Sequence, residues 1–445
     1  VITMYENKKI LIVGAAKSGI SVAKLLANRN NEITITDLND IDEYNKQLLK
    51  SLNIKIVITN NQVDLLNNNW DLIIKNPAIM YTSNIVKRCK ELNLHVENEM
   101  EVAYHFLPKD VKIIGVTGSN GKTTTCTILY KILKNTGLSV VLGGNIGTPL
   151  SELVPTIKPK DIILLEISDH QLCDLFDFKT DISILTNICP THLDYHGTYE
   201  HYKMTKRKIF NNHTSNDYAI INKESLDALE VSSYIPSKKY YFSSKRKADS
   251  YYNNGFIYLN NELYLDAKDI KIKGIHNYEN IMASLLVCNI LHIKKNVIVD
   301  FLKSFNGVEH RLEFVKTVNG VEYYNDTKST NPTSTITALK TFDKKINLIL
   351  GGLNRNQDYH ELDNYMSNVV NIFAIGETTD IVSDYAKSIN IPCKKEYTLD
   401  KAMQDIKNIA KNGEIVLLST ASSSQDQYPH FEDRGIEFKN IVEKF

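Results

Sequence analysis

Three successive runs of apolar strand alternating with helix predict an α/β chain of three domains built on mostly parallel sheets. The runs occupy 1–107, 108–308 and 309–445. Two further observations support this division. Lys9 to Val13 reads as a buried parallel strand, of the kind found in sheets covered on both faces. Pro108 interrupts the pattern between the first two runs.

In the first run, "KKILIV" reads as a buried strand, "GAAKSG" at 14–19 as a turn, and 18–26 as the following helix. "EITITD" is a second strand ending at Asp37, and "IKIVIT" and "DLIIKNPAI" are two more. This is a Rossmann-like order of elements. The second run begins at "VKIIGVTG" and continues through "DIILLEIS", "DISILTNI" and "DYAIIN". Between 232 and 273, "KKYYFSS", "GFIYLNNELYL" and "KIKGI" read as short antiparallel strands, and a helix is expected over 277–290. "FNGVEHRLE" reads as a connection to the third run, where "INLILGG", "NIFAIG" and "EIVLLSTAS" alternate with helices such as "LDKAMQDIKNIAK". That is a second Rossmann-like domain.

Lys plus Arg and Asp plus Glu both number 52, a balance that argues against a general nucleic-acid or membrane-surface binder. No apolar run is long enough to span a membrane, and "VITMYENKKI" lacks the apolar stretch of a signal peptide. Met4 is a candidate start residue. The six cysteines form no C-x-x-C pair and read as reduced, mostly buried thiols of a cytoplasmic protein.

The most specific motif is "VTGSNGKTTT". A strand precedes it and a helix follows, as in a P-loop ATPase-type mononucleotide-binding domain. Two residues, Ser119 and Asn120, separate Gly118 from Gly121, where the Walker A pattern has four. Backbone N–H groups and the helix start would face an anion, with Lys122 on the phosphates and Thr123 on Mg²⁺. Glu166 ends an apolar strand, where a carboxylate is costly unless paired or metal-bound. "THLDYHGTYEHY" carries His192, His196 and His201, without the cysteine pair a structural zinc site usually adds. Lys206 lies on a basic helical face that nothing in its neighbourhood singles out. Gly14 opens a turn in which Ala16 replaces the central glycine of a dinucleotide fingerprint, and Asp37 follows 23 residues later. A nucleotide diphosphate held differently from NAD suits this turn. Asn277 and Asn280 stand at a helix start, suited to a purine edge or to capping. Arg311, Asp326, Lys328, Thr330, Arg355, Ser424 and Phe431 all follow strands or junctions, and such clustering at strand ends points to a composite cleft.

Taken together, the short loop at 118–124, "GGNIG", "THLDYHG", "GIHNYEN", "EHR", "NDTKSTN" and "LGGLNR" resemble the Mur ligase family, in the family's order and over essentially the whole chain. Within the family, "KNPAI", "GGLNR" and "SQDQYPHFEDRG" resemble the members that add D-glutamate to UDP-N-acetylmuramoyl-L-alanine. The resemblance implies a UDP-precursor domain, an ATP domain and an amino-acid domain, and an acyl phosphate made from ATP. It implies ATP contacts at Gly118, Ser119, Asn120, Gly121, Lys122, Thr123, Thr124, Asn277, Asn280, Arg311, Asp326 and Lys328. Precursor contacts are implied at Gly14, Lys17, Ser18, Asp37, Asn145 and His192, and D-glutamate contacts at Thr330, Arg355, Ser424 and Phe431. Lys122, Glu166, His192 and Lys206 are the implied catalytic residues. Two Mg²⁺ sites are implied among Thr123, Glu166, His192 and Lys206, the lysine as a CO₂-derived carbamate. A cytoplasmic monomer follows from the same resemblance.

The chain departs from the family pattern in places. "ELSSFQL" reads "EISDHQL", placing Asp169 and His170 where the family has serine and an aromatic residue. "KNPGI" reads "KNPAI" and "SPACAS" reads "STASSS". Another Mur-type or folylpolyglutamate-type ligase, or a nucleotide-binding homologue that no longer ligates, stays open at this level.

Overall fold

The computed structural model describes residues 2–445. The chain forms two compact units, one of 1–264 with 279–298, the other of 265–278 with 299–445. Three sheets run through them.

The first sheet has strands β1 (Lys9–Val13), β2 (Glu32–Asp37), β3 (Lys55–Ile58), β4 (Leu72–Lys75) and β5 (Val96–Glu97), in the order β3-β2-β1-β4-β5. All pairs are parallel. The chain leaves β1 toward β2 on one side and returns to β4 on the other, so the strand order reverses at β1. The Gly14 turn sits at that switch point, where open parallel sheets take ligands. Gly14 has φ +107° with Asn76 Cβ packed against it, so a side chain there would be strained and crowded. The following helix, Lys17–Leu26, begins inside the expected turn and takes in Gly19.

The second sheet has β6 (Lys112–Thr117), β7 (Val140–Gly144), β8 (Ile162–Glu166), β9 (Ile182–Leu185), β10 (Tyr218–Asn222), β11 (Lys238–Ser243), β12 (Ser250–Asn253), β13 (Phe256–Leu259) and β14 (Glu262–Asp266). Their order is β14-β13-β12-β11-β10-β9-β6-β8-β7. The interior β6 is flanked by parallel β8 and β9, which explains its unbroken apolar run.

The expected antiparallel set over 232–273 is only partly present. "KKYYFS" pairs parallel with β10, because the intervening helix Leu226–Val231 makes a crossover rather than a hairpin. β12 and β13 do pair antiparallel. "KIKGI" is no strand: Gly274 takes φ +102°, and the helix Ile275–Ile290 starts directly after it, two residues earlier than expected.

Within the first unit, several contacts join the two sheets' layers. Both oxygens of Glu101 accept N–H groups from Phe176, Asp177 and Phe178, at 2.8–3.2 Å. Lys75, at the end of β4, forms a buried ion pair with Asp174 at 3.1 Å.

The third sheet lies in the second unit, with β15 (Glu313–Val318), β16 (Val321–Asn325), β17 (Ile346–Leu350), β18 (Val369–Ile375), β19 (Cys393–Tyr397) and β20 (Ile415–Leu418) in the order β15-β16-β20-β17-β18-β19. Only β15 is antiparallel, against β16. No helix among the described residues is long and apolar enough to cross a membrane. All six cysteines are free, as expected.

Candidate active site

β6 ends at Thr117, and the chain turns through Gly118 and Gly121 into the helix Lys122–Asn135. Both glycines have positive φ, +149° and +85°. A Cβ at Gly118 would run into the Thr186 hydroxyl, and one at Gly121 into the Asn280 side-chain oxygen. At these two positions the loop lies against its supports with no room for a side chain.

The first intrahelical bond runs from Thr125 N–H to the Gly121 carbonyl, so the N–H groups of Thr123 and Thr124 have no carbonyl within the helix to bond. That helix start suits an anion. The loop amides differ from expectation. Ser119 N–H and Asn120 N–H donate to Asn187, each at 2.9 Å, because the segment after β9 runs alongside the loop. In this conformation they brace the loop instead of facing an anion.

Lys122 Nζ donates to the carbonyls of Gly118 and Ser119 at 2.8 and 3.3 Å. Glu166, at the carboxyl end of β8, is 2% exposed. Its two oxygens accept from the Thr123 hydroxyl and the Asn145 amide, both at 2.9 Å. A buried carboxylate beside a hydroxyl at a phosphate loop is the hard-oxygen set that Mg²⁺ prefers. Asn145, expected with the precursor, sits against Glu166.

Lys206 is fully buried. Its Nζ donates to the Thr117 hydroxyl and the Gly118 carbonyl, both at 3.1 Å, and to Asp169 at 3.4 Å. Burial first, and then the Lys122 charge, pull this amine down to about 7, against the opposing pull of Asp169. Only the family resemblance singled out Lys206 in the sequence; its local neighbourhood could not, since its distinction comes from neighbours 37 to 89 residues away.

Asp169 was legible only as a departure from the family pattern, yet it is the hub of the cluster. It starts a short helix whose capping box uses Ser168 and Gln171, which aims its carboxylate inward. His192 Nδ1 lies 3.1 Å away and His196 Nε2 2.8 Å away. Burial works against the charged form, but the two histidine hydrogen bonds and the Lys206 and His170 charges outweigh it and hold Asp169 well below the usual carboxylate range. The three histidines of "THLDYHGTYEHY" do not converge as one set. His196 Nδ1 pairs with His201 Nδ1 at 2.8 Å, and of the three only His192 has a ligand atom within 4.8 Å of those of both Asp169 and His170. His192 has φ +52° at the head of the helix Leu193–His196.

At the switch point of the first sheet, Gly14 and Ser18 line a small cavity with Ile74, Asn76 and Glu99. Ala15 N–H donates to Asp37 at 2.7 Å, so the turn and the carboxylate expected with the precursor are joined. Lys17 stays exposed, with its Nζ 3.4 Å from the Gly147 carbonyl.

In helix Ile275–Ile290, Asn280 lies against Gly121, in the first unit. Asn277 belongs to the second unit and spends its amide on the Lys273 carbonyl at 2.8 Å. Within the second unit, Thr330, Arg355 and Ser424 occupy loops beyond the carboxyl ends of adjacent β16, β17 and β20. Arg355 is exposed and donates to Gln425 at 2.6 Å. Ser424 is buried, Phe431 begins the helix Phe431–Glu443, and Lys328 is exposed. Arg311 lies close enough to His276 and Asp326 for its charge to act on both.

Asp326, expected among the ATP contacts, is turned toward internal partners in this conformation. It is 2% exposed and already accepts from Leu312 N–H and the Ser329 and Ser419 hydroxyls, at 2.6–3.0 Å. Burial pushes its carboxyl up to about 6. In this conformation it orders the loops around it. Arg434, missed in the sequence, is buried and donates to Thr327 and the Ser422 carbonyl at 2.9–3.2 Å.

Comparison with known proteins bears on the whole chain. Residues 116–288 match the Mur ligase middle domain, and residues 310–422 the Mur ligase, glutamate ligase domain. The chain is 38% identical to the UDP-N-acetylmuramoylalanine--D-glutamate ligase of Geobacillus sp. (strain WCH70), covering 99% of this chain and 98% of that one. It is also 38% identical to the ligase of the same name from Streptococcus thermophilus (strain ATCC BAA-491 / LMD-9), covering 100% and 99%. Its fold is similar to UDP-N-acetylmuramate-alanine ligase MurC from Thermotoga maritima, with TM-score 0.57, 18% identity, and coverage of 98% and 100%. With such identity sustained from end to end, the chain belongs to the Mur ligase family.

Proposed function

We propose that the chain is an ATP-dependent ligase joining D-glutamate to UDP-N-acetylmuramoyl-L-alanine in peptidoglycan precursor synthesis. The observation that carries this reading is the full-length 38% identity to ligases named for that reaction. A carboxylate is a poor acyl donor. Its oxygen attacks the γ-phosphorus of ATP, ADP leaves, and the acyl phosphate results. The D-glutamate amine then attacks the acyl carbon, phosphate leaves, and the amine proton is lost as the amide forms.

The chain's residues divide this work. Residues 1–107 bind the UDP precursor, 108–308 ATP and 309–445 the amino acid. Gly14, Lys17, Ser18 and Asp37 receive the uridine diphosphate. Gly118, Gly121, Lys122, Thr123 and Thr124 hold the ATP phosphates, and Asn280 lies beside them for the base. Thr123 and Glu166 would hold one Mg²⁺; His192 and Lys206 belong to a second metal position. Bound there, Mg²⁺ lowers the repulsion between two anions that must react. Lys206, with its amine held at about 7, presents a neutral fraction that CO₂ converts to a carbamate. Arg355 suits a carboxylate of D-glutamate, a geometry the guanidinium fork favours, with Thr330, Ser424 and Phe431 nearby in the same unit. The enzyme works as a cytoplasmic monomer.

The test is phosphate release with UDP-N-acetylmuramoyl-L-alanine, D-glutamate, ATP and Mg²⁺. Release is expected only with all four present. Equal turnover with L-lysine, meso-diaminopimelate or L-alanine moves the chain elsewhere in the family. ATP binding without release on any such precursor makes it a non-catalytic homologue.

A further inference from the structure

The helix Glu99–Tyr104 and its cap residue put Glu101 and His105 one turn apart on one face. That helix leads into β6, and the segment carrying Asp177 leads into β9. The three side chains therefore gather toward the amino ends of these parallel strands, away from the phosphate loop at the carboxyl end of β6. His105 is 12% exposed, and its Nε2 is buried without a hydrogen bond. That nitrogen lies 3.4 Å from Glu101 Oε1 and 3.4 Å from Asp177 Oδ2. One ligand atom from each of the three residues lies within 4.8 Å of the other two.

Glu101 keeps one acceptor position to give. An ionised carboxylate has about four. Oε2 takes the N–H groups of Phe176 and Phe178, and Oε1 takes only that of Asp177. The position left over is on Oε1, the oxygen facing His105. The same three N–H groups fix the carboxylate, which is buried. Asp177 has 66% of its side chain exposed, which leaves an approach for an ion and its waters. The local field is negative. Burial, and after it Glu97, Glu101 and Asp177, push the Tyr5 phenol above its ordinary value, and the Tyr5 ring lies 5.6 Å from that of His105.

The spacing favours an ion over a proton. A protonated imidazole held by a carboxylate would close to about 2.7–2.9 Å. Ligands about 2.0–2.1 Å from a tetrahedral ion stand about 3.3 Å apart, close to the 3.4 Å found on both sides of Nε2. One imidazole with two carboxylates suits Zn²⁺ and its first-row neighbours, whereas Mg²⁺ and Ca²⁺ take oxygen ligands. We propose that Glu101, His105 and Asp177 form a structural site for a first-row divalent transition ion, which fastens the helix after β5 to the segment before β9. The site is separate from the metal positions of the proposed function, and its binding of an ion does not rest on that reading.

The probe is Zn²⁺, titrated into the nucleotide-free full chain with Mg²⁺ in excess to fill the oxygen-rich position at Glu166. Wild type is expected to bind one equivalent more than H105Q. D177N should weaken that equivalent on the order of tenfold or more. Zn²⁺ should raise the thermal midpoint of wild type more than that of either variant. Midpoints without the ion check folding, and D177N, at an exposed position, keeps the test alive if H105Q misfolds. Nitrogen NMR of the wild-type histidines is expected to show His105 Nε2 taking up the ion. Equal stoichiometry and affinity in wild type and the folded variants overturns the proposal. A His105 ring that stays doubly protonated in saturating Zn²⁺ also overturns it, and assigns the cluster to an ion pair.

Discussion

Lys122 Nζ and Lys206 Nζ converge on one acceptor, the Gly118 carbonyl, at 2.8 and 3.1 Å. Two lysine amines meeting at a phosphate loop repel each other as cations; burial, together with this repulsion, pulls Lys206 down to about 7. Only one of them, Lys206, is also fully enclosed and in reach of a carboxylate, Asp169.

Removing that enclosed amine should therefore affect the chemistry more than the binding. K206A is expected to lower kcat by about 10²–10³-fold, with a smaller change in the KM for ATP, because Lys122 remains. Added bicarbonate should not restore it. Steady-state phosphate release checks this, and turnover near wild type sinks the carbamate assignment.

G118A tests the loop geometry. The residue sits at φ +149° with the Thr186 hydroxyl in the space a methyl group would need. Alanine there adds about 1–3 kcal/mol of local strain and pushes the loop off its seat. Nucleotide affinity should fall and the melting temperature should drop. A fluorescent-nucleotide titration with unchanged affinity would contradict the cramped loop.

His213 links acid stability to a buried polar cluster. Its ring nitrogens lie 2.7 Å from Ser237, 2.9 Å from Thr180 and 3.1 Å from Ser183. Burial pulls the ring down to about 4 from its ordinary 6.5. Between these values the unfolded chain takes up a proton that the folded one refuses. The stabilisation is complete above about 6.5 and is lost as pH falls toward 4, amounting to about 1–2 kcal/mol at pH 5. Urea unfolding at pH 7.5 and 5.0 should show this loss, and H213Q should reduce it. Identical pH slopes for the two proteins would remove His213 as the cause.

K75M removes one half of the Lys75–Asp174 pair, whose side chains are 3% and 14% exposed. It leaves a buried carboxylate without its cation, which costs about 3–5 kcal/mol. K75M D174N together should recover part of that loss, since the double variant buries no unpaired charge. Denaturant midpoints of the three variants decide it. A K75M midpoint equal to wild type means solvent reaches Asp174.

Much of this was legible from local pattern. Apolar runs such as "KIIGV" and "IILLE" are long enough to mark buried parallel strands, and Gly118 to Thr123, set between a strand and a helix, mark the phosphate loop. The misread segments were those whose pairing depends on distant partners. "KKYYFS" has the composition of a hairpin strand, yet the helix before it carries it to the parallel side of β10. Asp326 carries the same carboxylate whether it faces a ligand or is buried, and only the hydroxyls of Ser329 and Ser419 around it decide which.

The sequence by itself determined the order of the elements, the position of the phosphate loop and the family, because strand burial, glycine conformations and motif spacing are all local properties. Tertiary structure alone decided the surroundings of Lys206, Asp169 and His170. Burial, charge coupling and an unpartnered ring nitrogen arise only when residues tens of positions apart are brought within a few ångströms, and no single stretch of the chain encodes that meeting.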